Sequence, residues 1–530
     1  MPDAQFKTTE HVDPANRLDG LTWEYPEQHI GDDIATTPNG GLVRDGDRVL
    51  HGVKANNYRL PEDRNVEGKY PGDVFRLKGL NSAEGQAVAG YEMELPTYDK
   101  SGKPFRLWNE EGQPISDKLA KMIGEHPELW VHTAEIETAD PHSTSTEAAT
   151  ELYLAVRNLF DALPEGVMLD PISAWMDRKP TTEDTTPKPY VGVMIEALGE
   201  HILNFVGHGI HEHYDVDPEH ILFVAQYLQM LAPYLNAGLQ SAPYMHGDLD
   251  PRLSEIFETH SDVELLREIE KESNSPAWAS VRYATRYFGS SAGGVRPNAH
   301  SSRDEFMRFA DRKLRDGEVN NVSRADGPHG DVRQRFDLAP GRVELCVKDN
   351  PMGNIQVLKA YMDLTWGVIN SLVEVSQMGD EGRNKLHSAF ADLFGDKEDP
   401  SDMATVYERV HRNSLVIAKN GPHTTVQDSK GNRVDVRHQV ERVMDFVKTY
   451  KGAIPEESAQ IIRATLGDPR ELKIGSTPAD YYRTNYATPA DYIKLAVQTY
   501  IEAGMTPESA LMQAKIDRMN AFSAYILSAS

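Results

Sequence analysis

The sequence predicts an α+β protein, and three observations carry that prediction. Segments with period-two alternation of apolar and polar residues recur from about residue 86. Segments with helical periodicity separate them. Beyond about residue 400 the pattern turns mostly helical.

In chain order, residues 1–85 read as an N-terminal extension, partly irregular, because Gly, Asp, Asn and Pro are frequent and apolar periodicity is weak. Residues 86–530 read as one large domain. Its clearest strands are "AVAGYEMEL" (87–95), "WVHTAEIET" (130–138), "GHGIHEHYDV" (207–216) and "GRVELCVKD" (341–349). Its clearest helices are predicted over 145–163, 217–235, 304–317 and 354–375. Asp217 followed by Pro218 suits an N-cap and first turn. The segment 221–245 carries no charge, but its Gln226, Gln229, Pro233, Asn236 and Gln240 are costly in lipid, so a buried core helix ending near Pro233 is expected rather than a membrane span. "TTVQDSKGNRVDV" (424–436) predicts a hairpin, and the echo "TPADYY" (477–482) and "TPADYI" (488–493) predicts two helix starts.

The chain of 530 residues has a formal net charge of −27. That balance argues against nucleic acid or an anionic membrane as the main partner. The single cysteine, Cys346, excludes an intramolecular disulfide and suits a reducing cytoplasm. The first twenty residues show no basic region followed by an apolar run, so no secretory signal is expected.

Residues two apart on a strand share a face. The first strand therefore places Glu92 and Glu94 side by side, and the second repeats the pattern with Glu135 and Glu137. The third offers His211 and His213, and the fourth Glu344, with Cys346 and Lys348 further along the same predicted face. One such pair is usually a solvated strand face. Ligand-type residues at period two on four successive strands point to a metal site. The set is rich in oxygen, which suits Mg²⁺ or Mn²⁺ better than zinc. Divalent ions held this way can bridge phosphate oxygens. Arg282, Arg286, Arg333 and Arg335 are candidate anion-binding forks. "GSSAGG" (289–294) could supply backbone donors, and no P-loop motif is present.

The ordered set "GYEMEL", "HPELWVHTAEIET", "GIHEHYDV", "YLNAGLQSAPYMHG" and "DVRQRFDLAPGRVELCVKDNP" resembles the glutamate–cysteine ligase and carboxylate–amine ligase family of the glutamine synthetase-like superfamily. "HRNSLVIAKNGPHTTVQDSKGNRVDV" (411–436) is similar to its C-terminal helical segment, and the resemblance spans roughly residues 86–450. It implies an antiparallel sheet curved into a half-barrel, with metals and ATP on the concave face and helices packed outside. Carried over by position, it implies metal ligation by Glu92, Glu94, Glu135, His211 and Glu344, with His213 at the second position of its pair and Glu137 as an extra carboxylate. Arg333 matches the arginine of the family's "D-[VI]-R". Catalytic roles are expected for Arg333 and Arg282, and nucleotide contacts for Arg286, Arg335 and Lys348. Two departures stand out: Cys346 occupies a position where the family commonly has arginine, and "DPISAWMD" (170–177) stands where it has "HPF".

The implied activity is ATP-dependent amide formation through an acyl phosphate, with glutamate–cysteine ligation in thiol biosynthesis as the leading expectation. The alternatives are a regulatory, nucleotide-binding relative and a metal-dependent hydrolase. The expected partners are ATP and amino-acid substrates, with no nucleic acid and no membrane, and with room for a homo-oligomer.

Overall fold

A computed structural model describes residues 34–37, 40–45, 48–50, 89–123, 129–138, 142–174, 178–187, 203, 207–216, 220–244, 247–250, 263–273, 277–283, 332–335, 342–351, 353–394, 400–450, 454–467 and 488–528. The predicted helix 304–317, "GSSAGG" and Arg286 lie outside them. So do Asp217, Pro218 and the first copy of the "TPADY" echo.

Near the start of the chain, β1 (Ile34–Thr37), β2 (Gly40–Asp45) and β3 (Arg48–Leu50) form an antiparallel three-stranded sheet. The main sheet is built from β4 (Ala89–Asp99), β5 (Thr133–Glu137), β6 (Val167–Leu169), β7 (Ile210–Asp215), β8 (Val332–Arg335) and β9 (Arg342–Lys348). Its order is β5-β4-β7-β9-β8, with β6 pairing the far end of β4, and every pairing is antiparallel. The α+β reading and its four predicted strands therefore stand. Curvature into a half-barrel remains what the resemblance implies.

Alternation sorts the two faces. Tyr91, Met93 and Leu95 of β4, Ala134 and Ile136 of β5, Ile210 and Tyr214 of β7, and Val343 and Leu345 of β9 are all buried. They meet helices Ile221–Asn236 (α3) and Ile355–Gln377 (α5), while Ser145–Ala162 (α2) packs on β4 and β5; Asp117–Ile123 (α1) lies against α2 and β5, and Val263–Glu272 (α4) against the helix Pro400–Asn420. Tyr91, Tyr214 and Trp366 pack edge-on or tilted, and the two tyrosine hydroxyls lie 3.3 Å apart. Burial of these large rings supplies much of the apolar driving force at this layer.

The helix starts follow their caps. Thr144 Oγ1 accepts the Glu147 N–H, and Asn354 Oδ1 accepts those of Gln356 and Val357. The second "TPAD" opens a helix over Pro489–Glu502, with Thr488 Oγ1 accepting the Asp491 N–H. The predicted hairpin forms from β10 (Thr425–Gln427) and β11 (Arg433–Asp435), with Gly431 at φ +79°. One expectation changes: the helix expected to end near Pro233, α3, runs through it to Asn236. Tertiary burial of Leu231, Ala232, Tyr234 and Leu235 outweighs the backbone bond the proline removes. Among the described residues no helix is long and apolar enough to cross a membrane.

The C-terminal helix Pro507–Ser528 closes the molecule against β4 and β6. Arg518 donates through Nε and Nη2 to the two carboxylate oxygens of Asp170, at 2.7 and 2.6 Å, both residues being buried. Lys515 Nζ donates to Gly102 O at 2.6 Å and sits over the Tyr98 ring.

Candidate metal centre

The face of the main sheet opposite α3 and α5 carries the predicted ligands. Register places Glu92 opposite Glu137 and Glu94 opposite Glu135, between β4 and β5. On the other side Glu92 lies opposite His211. His213 is paired with Glu344, which in turn is paired with Arg333. Directly opposed like charges destabilise a ladder, so two carboxylate pairs in adjacent positions require a compensating positive charge or water.

Part of that charge is protein. His211 Nδ1 lies 3.0 Å from Glu92 Oε2, and His213 Nε2 lies 3.0 Å from Glu92 Oε1. Burial opposes ionisation of Glu92, but the two imidazoles outweigh it and hold this carboxyl far below the usual carboxylate range. Burial acts to lower His211, yet Glu92 and Glu94 carry it above the ordinary imidazole value. His213, deeper, is pushed down by burial despite Glu92. Glu94 Oε2 accepts the Gly209 N–H at 2.8 Å. Arg333 Nη1 is ion-paired with Glu344 Oε1, and the Cys346 thiol donates to the same oxygen at 3.2 Å.

Among the described residues two sets of ligand atoms converge to within 4.8 Å of one another: Glu92, Glu135 and His211, and His211, Glu344 and Cys346. They share His211. Glu92, Glu135, His211 and Glu344 are thus brought together as the strand pattern predicts. Glu94 borders them, in register with Glu135 and held by Gly209, without belonging to either set.

Two expected anion ligands are placed elsewhere. Ile210 pairs with Lys348 but Glu212 with Leu345, so two steps along β7 span three along β9. This bulge inserts one residue after Cys346 and turns Lys348 to the helix side. There Lys348 Nζ donates to Glu212 Oε1 and to Tyr361 O, both at 2.7 Å, with both ionic side chains fully buried. The expectation that Lys348 shares the face of Glu344 is corrected. Burial pushes Glu212 up and Lys348 down, each against the pull of its partner.

Arg282 is the second correction. Its Nη2 donates to Cys346 O at 2.8 Å and its Nη1 to Lys348 O at 3.1 Å, with Asp349 Oδ1 at 3.5 Å from Nη1. The guanidinium clamps the carbonyls on either side of the bulge and is buried there, which commits it to positioning β9. Gly209 makes room for it: a Cβ at 209 would stand 2.5 Å from Arg282 Nη2 and 3.1 Å from Lys348 O. Arg335 is described as the last strand residue of β8, in register with Arg342. Sequence reasoning missed Glu212, the residue between the two histidines that receives Lys348. It also missed Cys346 as a donor beside His211. The His-Glu-His alternation does signal that Glu212 faces away from the histidines.

No family model matches the sequence, and no curated protein matches it. Solved structures to which the chain is similar include a bifunctional glutathione synthetase from Pasteurella multocida, at 12% identity and TM-score 0.48, covering 83% of this chain and 53% of that one. The chain thus spans about half the length of that protein. A glutamate–cysteine ligase from Francisella tularensis in complex with AMP aligns at 12% identity and TM-score 0.46, over 84% of this chain and 95% of that one. A complex of the ubiquitin-like protein Pup with its ligase PafA aligns at 12% identity and TM-score 0.36, over 80% and 70%. Likeness of this degree leaves the functional reading to rest on the site itself.

Proposed function

We propose that this chain is an ATP-dependent carboxylate–amine ligase. The observation that carries the reading is the block of opposed carboxylates, Glu92 against Glu137 and Glu94 against Glu135, beside His211 on one face of an antiparallel sheet. The donor set fits a hard divalent cation: oxygen-rich, with Glu92 and Glu135 converging and Glu92 held ionised. Glu92 and Glu135 would hold Mg²⁺ or Mn²⁺, with His211 positioning Glu92 and with Glu94 and Glu344 flanking. Bound there, the ion neutralises phosphate charge and offsets the repulsion among the carboxylates.

The chain's own residues contribute positioning and charge. Arg333 holds Glu344 in place and presents a guanidinium at the edge of the face. His211 and His213 fix Glu92 from two sides. Arg282 fixes the β9 backbone beneath Cys346. No side-chain nucleophile is required, because the amine attacks an acyl phosphate formed from ATP and the substrate carboxylate. Phosphoryl transfer of this kind depends on positioning and electrostatics.

The finer reading is glutamate as the acid and cysteine as the amine, as the resemblance implies. Cys346, where that family commonly has arginine, makes the substrate pair the point to test. Purified protein with Mg²⁺ and ATP, offered amino acids singly and in pairs, is expected to release ADP only with a matching pair. Release with glutamate plus cysteine identifies the pair. Release with another pair keeps the reaction and moves the substrate. Tight nucleotide binding without release under any pair overturns the ligase reading.

A further inference from the structure

We propose that His211, Glu344 and Cys346 form a site for a thiophilic divalent cation of the zinc class, at the β9 end of the carboxylate face. Their nitrogen, oxygen and sulfur donors lie within 4.8 Å of one another. The thiol points at the carboxylate already, donating to Glu344 Oε1 at 3.2 Å. His211 gives its Nδ1 side to Glu92 Oε2 at 3.0 Å. A histidine whose one nitrogen is held by a carboxylate presents the other to a metal, and this pairing is the usual support of a metal-ligating imidazole.

One neutral imidazole ligates through one nitrogen. With Nδ1 engaged by Glu92, His211 serves one ion at a time, through Nε2. The glutamates of β4 and β5 then remain as an all-oxygen set for a hard cation, while the set containing Cys346 takes the softer one. Thiolate, imidazole and carboxylate as three protein ligands, with a fourth position open, match zinc and its neighbours in the first transition row, whereas Mg²⁺ requires oxygen. The sulfur is also well placed. Cys346 and Glu344 are 1% and 2% exposed, and Arg282 clamps the carbonyl of Cys346 at the bulge. On binding, the S–H···O bond is exchanged for a sulfur–metal bond, and the thiol proton leaves to buffer with no change of oxidation state.

The inference deepens the ligase reading, and rests on it only in placing the ion at the same face. Because the chain holds one cysteine, any thiolate signal comes from Cys346. The test is titration of the full-length, metal-free protein with Co²⁺, followed by near-ultraviolet absorption. A thiolate-to-cobalt charge-transfer band is expected that Zn²⁺ removes by competition and excess Mg²⁺ does not. Cys346→Ser is expected to lose the band and to weaken Zn²⁺ binding at least about 10-fold with an unchanged circular-dichroism spectrum. Should that variant misfold, protection of the wild-type thiol from alkylation by Zn²⁺ reads the same bond. Cobalt binding without the band, or a band abolished by Mg²⁺, overturns the proposal. ADP release is scored separately: a band without ADP release leaves the metal site standing and removes the ligase, and ADP release without a band does the reverse.

Discussion

Glu344 and Lys348, four residues apart on one strand, face opposite sides of the sheet. Glu344 pairs with Arg333 on the carboxylate face, and Lys348 pairs with Glu212 beneath it. The bulge after Cys346 separates the two environments. One strand therefore serves both the candidate site and the core.

Lys348→Met should leave the Glu212 carboxyl buried without its cation. Truncating one partner of a buried pair costs about 3–5 kcal/mol, and a fall of that size in unfolding free energy is expected in urea titration. The double variant Lys348→Met, Glu212→Leu should recover much of the loss, because no uncompensated charge then remains. Equal instability of the single and double variants would remove the ion pair as the cause.

Glu92→Gln and Glu344→Gln should each lower Mg²⁺-dependent ADP release by about 10–100-fold or more. Glutamine keeps the shape of each side chain and one acceptor oxygen, so the circular-dichroism spectrum is expected to stay that of the parent. Part of the loss in Glu92→Gln should be recovered at raised Mg²⁺. Unchanged turnover in both variants would detach the carboxylate face from the reaction.

Gly209→Ala should act on the site at a distance. The added methyl group meets the Arg282 guanidinium and the Lys348 carbonyl, so the clamp on the bulge must shift. The expected outcome is a loss of about 1–3 kcal/mol in stability, with weaker metal binding. Equilibrium unfolding and metal titration of one preparation check both.

Acidification should destabilise the fold through two buried histidines. Burial pushes His132 and His208 down to about 3. In the unfolded chain each takes up a proton near pH 6.5, while the folded protein does not, so stability falls as pH drops below that value. Between pH 7.5 and 5.5 each histidine should cost about 1 kcal/mol. Asp184, held down to about 2 by Arg178 and the Thr181 N–H against its burial, contributes stability above its ordinary range that is lost only as pH falls toward 2. His132 faces Asp184, Arg178, His208 and Arg106, and His208 faces Arg282. His132→Gln should therefore remove about half of what these two histidines contribute to the fall in urea midpoint between pH 7.5 and 5.5, and Asp184→Asn should leave that contribution unchanged.

Arg518→Ala should loosen the C-terminal helix. It leaves Asp170 buried without its guanidinium partner, at a cost of about 3–5 kcal/mol. Proteolysis near residues 505–528 should accelerate relative to the wild type, which limited digestion with mass spectrometry would show.

Local chemistry by itself determined the strands that carry Glu92, Glu94, Glu135, His211 and Glu344, the helix starts near residues 354 and 488, and the hairpin after residue 424. Side-chain alternation, capping and turn preference are short-range properties, legible wherever the ladder is regular. Only the tertiary structure decided where Lys348, Arg282 and Cys346 act. Period two holds until a bulge shifts the register, and the bulge depends on how β9 pairs with β7. Arg282 reads as an anion ligand until the fold closes it over two carbonyls of β9. Cys346 reads as a replaced arginine until strand order sets its sulfur beside His211. Each of these placements comes from a pairing between segments far apart in the chain, which no local pattern encodes.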